Sequence, residues 1–303
     1  MTFERVAIIG LGLLGGSLGL ALRDRLPQVA TTGYDRDPAT RRRAAERGLV
    51  GTVCETAAEA VAGADLVVLC VPVGAMGEAA RELAPALASH AVISDVGSSK
   101  QSVARALAEA LPGHTVIPAH PVAGTEQSGP DAGFSTLFHQ RWCILTPAPD
   151  APAAAVADLT ALWESLGAKV EIMDPAHHDV VLAVTSHIPH LIAYTIVGTA
   201  SDLEDVTQSE VIKYSAGGFR DFTRIAASDP TMWRDVFLSN REAVLEVLGR
   251  FSEDLTALQR AIRNGDGETL FDLFSRTRMI RRSIIEQGQD DARPDFGREH
   301  GEA

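Results

Sequence analysis

Near its N-terminus the chain reads Val6-Ala7-Ile8-Ile9-Gly10-Leu11-Gly12-Leu13-Leu14-Gly15, and this run shapes the expectation for everything around it. Four apolar residues predict a short buried strand, and the glycines after them have the G-x-G-x-x-G spacing that joins such a strand to a helix. In that turn Gly10 permits the tight bend, Gly12 lets a phosphate reach the backbone, and Gly15 lets helix and strand pack closely. The pattern predicts a dinucleotide-binding turn; the alternative is a flexible glycine loop.

The next predicted strand, 30–34, favours the first interpretation. It ends in Asp35, about twenty residues after the last glycine, where the dinucleotide fingerprint places an acid. A carboxylate there accepts hydrogen bonds from the ribose 2′-hydroxyl and repels a 2′-phosphate, so it favours NAD over NADP. Arg36 beside it is the one local feature that would suit the phosphate. The helix N-terminus, with free amides and a favourable dipole, is expected to bind the pyrophosphate.

Further strands are predicted at 65–72, 91–94, 142–145 and 168–173, with helices between them. The run 65–72 is apolar without interruption, which is typical of a parallel strand buried on both faces. We predict an α/β fold: a Rossmann-type, doubly wound and mostly parallel sheet in residues 1–174, followed by an all-helical domain. The predicted cofactor contacts are Gly10, Gly12, Leu13, Leu14, Gly15, Asp35 and, at the end of the third strand, Pro72.

A candidate catalytic residue follows the strand predicted at 115–117. His120 comes just after it, where open α/β sheets bind their ligands, and histidine is the usual general base near neutral pH. The alternative is a loop histidine packed on its neighbouring proline. Ser98, at the end of the adjacent strand, can hydrogen-bond a histidine or a substrate hydroxyl, or else cap the helix predicted at 99–111. We expect Lys100 to be a solvated residue of that helix.

The C-terminal part shows helical periodicity and no strand signal. A helix predicted at 177–199 should kink at Pro189. His187 and His190 have a spacing that suits two metal ligands, but no third ligand with zinc-site spacing follows. We therefore expect no metal and assign the two histidines to the substrate site or to the core. The polar cluster 177–179 is expected at the surface.

Two arginines, Arg220 and Arg224, follow a pair of glycines and lie one helical turn apart. Guanidinium groups match carboxylates, so both are candidates to bind a substrate carboxylate; the alternative is a surface ion-pair patch. Beyond them we predict one helix over 230–263 and a second after it, with apolar seams that suit a helical hairpin packing on a second copy of the chain. The helical domain is bounded at 175–287, and the acidic tail 288–303 is expected to be disordered.

Composition narrows the partners and the compartment. A formal net charge of −13 over 303 residues argues against nucleic acid or an anionic membrane as partner. Three cysteines without metal-ligand spacing or a disulfide pattern fit a reducing compartment, so a cytoplasmic location is expected. The apolar run 6–22 contains five glycines and lacks a basic leader, and we interpret it as neither signal peptide nor membrane span.

Together these motifs resemble the prephenate/arogenate dehydrogenases of tyrosine biosynthesis, from Val6 to about residue 288. No single piece is decisive, but their order is specific. The pieces are G-L-G-L-L-G-G-S at 10–17, D-V-G-S-S-K at 95–100, H-P-V-A-G-T-E at 120–126, S-H-I-P-H at 186–190, G-G-F-R-D-F-T-R-I-A at 217–226 and D-P-T-M-W-R-D at 229–235.

The resemblance implies a dinucleotide-binding domain, a helical dimerisation domain, and NAD-dependent conversion of prephenate to 4-hydroxyphenylpyruvate, of arogenate to tyrosine, or of both. It implies that His120 is the catalytic base, that Ser98 is its hydrogen-bond partner, and that Arg224 anchors the substrate. Arg220 stands where the family often has lysine. The other residues that it assigns to the substrate site are Thr125, Glu126 and His190. We expect neither a chorismate mutase segment nor a regulatory domain.

Two other classes of function remain open at the level of sequence. A β-hydroxyacid dehydrogenase also joins such a cofactor domain to a helical one, but those enzymes commonly use a lysine where this chain has His187 and His190. An NAD-sensing binding protein would share the cofactor turn and lack turnover. The choice between prephenate and arogenate, which differ in a keto or an amino group, is left open as well.

Overall fold

The computed structural model describes residues 3–125, 127–203 and 217–286. The substrate-site candidate Glu126 and the predicted tail 288–303 lie outside these ranges. The chain divides into two compact units, Met1–Val247 and Leu248–Ala303. The boundary expected after residue 174 falls inside the first unit and stays a prediction.

The bounds of the described elements are as follows. The strands are β1 Arg5–Ile9, β2 Ala30–Tyr34, β3 Thr52–Val53, β4 Leu66–Leu69, β5 Val92–Asp95, β6 Thr115–Val116, β7 Ala119–Pro121, β8 Trp142–Leu145 and β9 Lys169–Ile172. The α-helices are α1 Leu13–Arg25, α2 Pro38–Arg47, α3 Ala57–Val61, α4 Met76–Leu83, α5 Gln101–Ala110, α6 Ala153–Ser165, α7 Pro175–Leu182, α8 Ile188–Asp202, α9 Gly217–Thr223, α10 Pro230–Ser239, α11 Arg241–Asn264 and α12 Gly267–Glu286.

The main sheet has six parallel strands in the order β3-β2-β1-β4-β5-β6. This is the strand order of a dinucleotide-binding fold, with the order reversing next to β1. The central strand β4 is buried along its whole length, and its side chains alternate between two hydrophobic cores: Leu66 and Val68 pack in one, Val67 and Leu69 in the other. The predicted fold class, including the strand buried on both faces, is confirmed.

A second, three-stranded sheet with the order β7-β8-β9 carries His120. The chain leaves the main sheet after Ile117, whose amide still bonds Ile93 O at 2.8 Å, and Pro118 O then accepts the amide of Thr146 at 2.9 Å. His120 lies opposite Ile144 in the antiparallel pair. His120, predicted just after the strand at 115–117, is therefore part of a short strand of its own, and the alternative of a loop histidine is wrong.

The helical part departs from the prediction in two places. A π-helical turn, Ala183–His187, separates α7 from α8, so the irregularity expected at Pro189 lies about one turn earlier. Pro189 is the second residue of α8, and a proline is tolerated in the first turn of a helix because its missing N–H is not needed there. The single helix predicted over 230–263 is wrong, because Asn240 interrupts it between α10 and α11 and directs its side chain to α7 and the π turn.

The run Pro175–Asp202 is the one stretch of the described residues that is long and apolar enough to cross a membrane, judged on length and composition alone. It also buries three polar side chains, His178, Asp179 and His187, that contact residues of other elements. These contacts make the run part of the polar site described next.

Candidate active site

The glycine turn has the geometry that a bound dinucleotide requires. Gly10 has a φ of +98°, and a Cβ built on it would lie 2.4 Å from Cys70 O. A Cβ on Gly15 would lie 1.8 Å from Gly10 O, so β1 and α1 approach too closely for any side chain there. A Cβ on Gly12 would meet nothing within 4 Å, and no side chain caps α1. The helix N-terminus thus presents open main-chain groups that fit the pyrophosphate of NAD.

Asp35 joins this turn to the end of β2. Its Oδ2 accepts the amide of Leu11 at 2.9 Å and its Oδ1 the amide of Asp37 at 2.9 Å. The carboxylate is therefore held beside the glycine turn with lone pairs left for a ribose hydroxyl. Arg36 is exposed, and so is Pro72, whose carbonyl accepts the amide of Ala75 in the turn after β4. Contacts of these residues and of Leu13 and Leu14 with NAD stay predictions.

The centre of the site is a chain of hydrogen bonds that begins at His120. The ring of His120 is buried, and its Nδ1 lies 2.9 Å from Nε2 of His178. Nδ1 of His178 lies 2.9 Å from Oδ1 of Asp179. The Asp179 carboxylate also accepts hydrogen bonds from the main-chain amides of Lys100 at 2.7 Å and Gln101 at 2.9 Å. It thereby caps the N-terminus of α5.

This series of hydrogen bonds determines which ring nitrogens of His120 and His178 carry protons. A carboxylate only accepts, so Nδ1 of His178 donates to Asp179 and Nε2 of His178 accepts. Nδ1 of His120 therefore donates to His178, and Nε2 of His120 keeps its lone pair. The arrangement supplies an imidazole that is oriented and ready to accept a proton.

Burial and neighbouring positive charge hold the imidazoles neutral. Burial lowers the pKa of His120 well below its usual value. A proton on His178 or His187 would lower it further, and so does the charge of Lys100. Burial also lowers the pKa of His178, against the opposing effect of Asp179. Burial lowers the pKa of His187 to about 4.

Two sequence expectations are wrong at this point. Lys100, expected in solvent, is fully buried and pairs with Asp95. His178 and Asp179, expected on a helix surface, are buried. The physical reason is shared: α5 begins with unpaired amides inside the protein, and Asp179 of α7 satisfies them. His177, the third member of that cluster, is exposed as expected.

A second group of side chains adjoins the first. His190 stacks on Trp233 with ring centroids 3.6 Å apart and an interplanar angle of 25°, and its Nδ1 lies 2.9 Å from Ser186 O. Burial lowers the pKa of His190; the Ser186 carbonyl opposes this, and the charge of Arg224 adds to it. Arg224 is exposed and close enough to act on that ring, so the structure brings these two predicted substrate residues together.

His187 turns away from His190 to a different partner. Asn240 Nδ2 lies 3.0 Å from Nδ1 of His187 and donates to Asp179 O at 2.8 Å. The two histidines with metal-ligand spacing therefore have different hydrogen-bond partners, although both rings lie against Trp233. Among residues 3–125, 127–203 and 217–286 no group of three or more potential ligands is gathered for a metal.

Three other predicted site residues are not part of the hydrogen-bond network of His120 in the part of the chain that the structure describes. Ser98 is half-buried with its main chain beside the ring of His187, and a hydrogen bond from its side chain to His120 is not found among the described residues. Thr125 is exposed and its Oγ1 accepts the amide of Gln127 at 3.2 Å. Arg220 is exposed in α9. Their roles stay predictions.

Sequence reasoning missed five members of the site. Only weak signals marked them: a histidine beside an aspartate, an aspartate at the end of a strand, and an aromatic residue on a neighbouring helix. They are Asp95, His178, Asp179, Trp233 and Asn240.

Fold and site together define a nicotinamide-dependent dehydrogenase with a buried histidine base candidate. Two family models match the chain: the nucleotide-binding domain of prephenate dehydrogenase over residues 18–172, and its dimerization domain over residues 174–276. The chain belongs to the prephenate dehydrogenase family, which confirms the resemblance and the expectation of an NAD-dependent oxidoreductase.

Individual relatives agree. The chain is 45% identical to a cyclohexadienyl dehydrogenase of Zymomonas mobilis, over 93% of this chain and 96% of the relative. It is 33% identical to a prephenate dehydrogenase of Bacillus subtilis, over 89% and 73%. A crystal structure of Aquifex aeolicus prephenate dehydrogenase with hydroxyphenyl propionate and NAD+ has a TM-score of 0.87 at 32% identity, over 94% and 99%. A Synechocystis arogenate dehydrogenase has a TM-score of 0.78 at 28% identity, over 92% and 99%.

Proposed function

We propose that the chain oxidatively decarboxylates the cyclohexadienol ring that prephenate and arogenate share, with His120 as the general base. The observation that carries this proposal is the hydrogen-bond chain from Asp179 through His178 to His120, which leaves Nε2 of His120 unprotonated. Relatives whose names cover both substrates support the shared chemistry.

The reaction needs one proton acceptor, one hydride acceptor and a leaving carboxylate. The C4 hydroxyl gives its proton to Nε2 of His120 while C4 releases its hydrogen as hydride. NAD, when bound, accepts the hydride. The bond from the ring to its carboxylate breaks, carbon dioxide leaves, and the electron pair of that bond completes the aromatic ring. The ring oxygen then takes back the proton held at Nε2 of His120 and becomes the phenolic hydroxyl. The product is 4-hydroxyphenylpyruvate from prephenate and tyrosine from arogenate.

Substrate orientation is assigned to the group around Trp233. Arg224 offers an exposed guanidinium for a substrate carboxylate, and the stack of His190 on Trp233 offers an apolar wall beside it. Holding the substrate so that C4 faces the cofactor reduces the entropic part of the barrier. The remaining predicted contacts of this site are Ser98, Thr125, Glu126 and Arg220.

We assign cofactor binding to residues 1–174, and substrate binding and self-association to residues 175–287. The homodimer is supported by the matched dimerization model and by large exposed apolar side chains in the second unit. They are Leu255, Ile262, Phe271, Phe274, Met279 and Ile280. Light scattering should return twice the chain mass, and Phe274→Glu should lower it toward one chain. A cytoplasmic location, supported by three unpaired cysteines, belongs to the same proposal.

The deciding experiment is a rate measurement with both substrates and both cofactors. NADH formation that requires prephenate or arogenate is expected, and it separates an enzyme from an NAD-sensing binding protein. The carboxylate of Asp35 leads us to expect a higher kcat/KM with NAD than with NADP. Tight NAD binding without turnover of either substrate would refute the proposal.

A further inference from the structure

Lys100, at the start of α5, is fully buried although lysine side chains usually lie in solvent. Its ammonium contacts Oδ2 of Asp95 and donates to Ala119 O at 2.7 Å. Oδ1 of Asp95 accepts the amide of Ala119 at 3.2 Å. The Asp95–Lys100 pair therefore holds both main-chain polar groups of the residue that precedes His120.

The main chain of Lys100 is also linked to the imidazole of His120, through Asp179 and His178. Its amide donates to Oδ1 of Asp179, and that oxygen also accepts the proton of His178, which in turn accepts from His120. The contacts close into a ring that starts and ends at Lys100. No other described residue holds both the backbone before His120 and the carboxylate behind its ring.

A buried ion pair seldom adds net stability, because desolvation of two charges offsets their attraction. Burial lowers the pKa of Lys100 and raises that of Asp95, each against the attraction of its partner. A role in setting the geometry and charge around His120 explains why the pair is kept in the interior.

We propose that Lys100 is a positioning residue for His120: its side chain fixes the strand that carries the imidazole, its main chain fixes the carboxylate behind it, and its charge opposes protonation of the base. The proposal rests on the proposed function of His120. It adds a residue that touches neither substrate nor cofactor.

The sign of the electrostatic effect follows from the groups that face the ring. They are His178 from α7, Lys100 from the start of α5 and His187 from the π turn, with Asp179 and Asp95 behind them. Lys100 brings positive charge, which disfavours the imidazolium. Without it the pKa of His120 rises, and the acid limb of kcat/KM moves to higher pH.

The test uses the double variant Asp95→Asn/Lys100→Gln, which keeps polar groups beside Ala119 and leaves no unpaired buried charge. We expect a folded protein with unchanged NAD affinity. The acid limb should lie about one pH unit higher, because Lys100 is among the groups whose charge acts on His120 and Asp95 is not. At pH values below the limb, kcat/KM should fall about tenfold. Lys169→Gln is the matched control, since Lys169 is exposed on β9, and its pH profile should match that of the unaltered protein.

Histidine NMR on the same variants separates this proposal from the assignment of the base. A folded double variant with an unmoved His120 pKa and an unmoved acid limb overturns the role of Lys100. If the pKa of His120 rises while the acid limb stays, the role of Lys100 stands and His120 is not the base.

If the double variant does not fold, lysine NMR on the unaltered protein tests whether Lys100 carries the positive charge that the proposal requires. The chain has three lysines, Lys100, Lys169 and Lys213, so single Lys→Gln changes at the other two assign the signals. We expect a slowly exchanging ammonium for Lys100 throughout the active pH range. A neutral amine in that range overturns the proposal.

Discussion

The glycine turn and the network around His120 lie in one compact unit and are built in opposite ways. The turn acts through main-chain groups, and its key residues work by lacking a side chain: a Cβ at Gly15 would lie 1.8 Å from Gly10 O. The network acts through side chains, and His120, His178 and Asp179 each take one defined hydrogen-bonding role.

This difference decides how each region responds to change. Added volume in the turn either presses on neighbouring backbone, as at Gly15, or fills open space beside the helix N-terminus, as at Gly12. The first costs stability and the second costs cofactor affinity. Removing one group from the network leaves the fold in place and alters proton positions, so it costs turnover and changes the pH profile. The four predictions that follow test this contrast, in order of decreasing effect.

Replacing His120 by asparagine should lower kcat by about 10² to 10⁴, because a positioned general base contributes about that much. NAD affinity should be unchanged, since the contacts of the turn do not involve this ring. Stopped-flow turnover and fluorescence titration with NADH measure the two effects. The exposed His90→Asn is the control. Unaltered turnover would remove His120 from the mechanism.

Two alanine substitutions in the turn should differ in what they lower: one should lower the stability of the protein, and the other its affinity for NAD. Gly15→Ala should destabilise the protein by about 3 kcal/mol, because its Cβ meets backbone that has nowhere to move. Gly12→Ala, with open space around its Cβ, should keep the melting temperature and weaken NAD binding about tenfold, or about 1.4 kcal/mol. Calorimetry and NAD titration of both variants suffice. Equal melting temperatures would contradict the steric account of the turn.

Asp179→Asn should lower kcat about ten- to hundredfold, as loss of a second-layer partner commonly does. An amide can donate to Nδ1 of His178, which reverses the proton positions along the chain to His120. The neighbouring His177→Asn, at an exposed position, controls for changes in α7. A pH–rate profile that is the same in both variants would mean that the network does not set the tautomer of His120.

Arg224→Gln should raise KM for the substrate about tenfold, or about 1.4 kcal/mol, with a smaller effect on kcat, because the lost ion pair contributes mainly to binding. It should also raise the pKa of His190, whose ring feels the arginine charge. Arg105→Gln, exposed on α5, is the charge-matched control. An unchanged KM would remove Arg224 from the substrate site.

Much of the fold could be predicted, and the site only in part. The positions of the main strands along the chain, the glycine turn and Asp35 depend on local patterns that a sequence displays directly. His120 could be found because it follows a strand. Asn240 could not, because its contribution depends on a helix break that periodicity does not show. The same holds for Trp233, which reads as an ordinary core residue until His190 is seen stacked on it.

The sequence by itself determined the cofactor class and the chain order of the elements, because a dinucleotide turn depends on backbone conformations that only particular residues adopt at a particular spacing. Only the tertiary structure decided that Lys100, His178 and Asp179 are buried together behind His120. Burial, tautomer and charge belong to the surroundings of a residue, and those surroundings come from segments that are far apart in the chain.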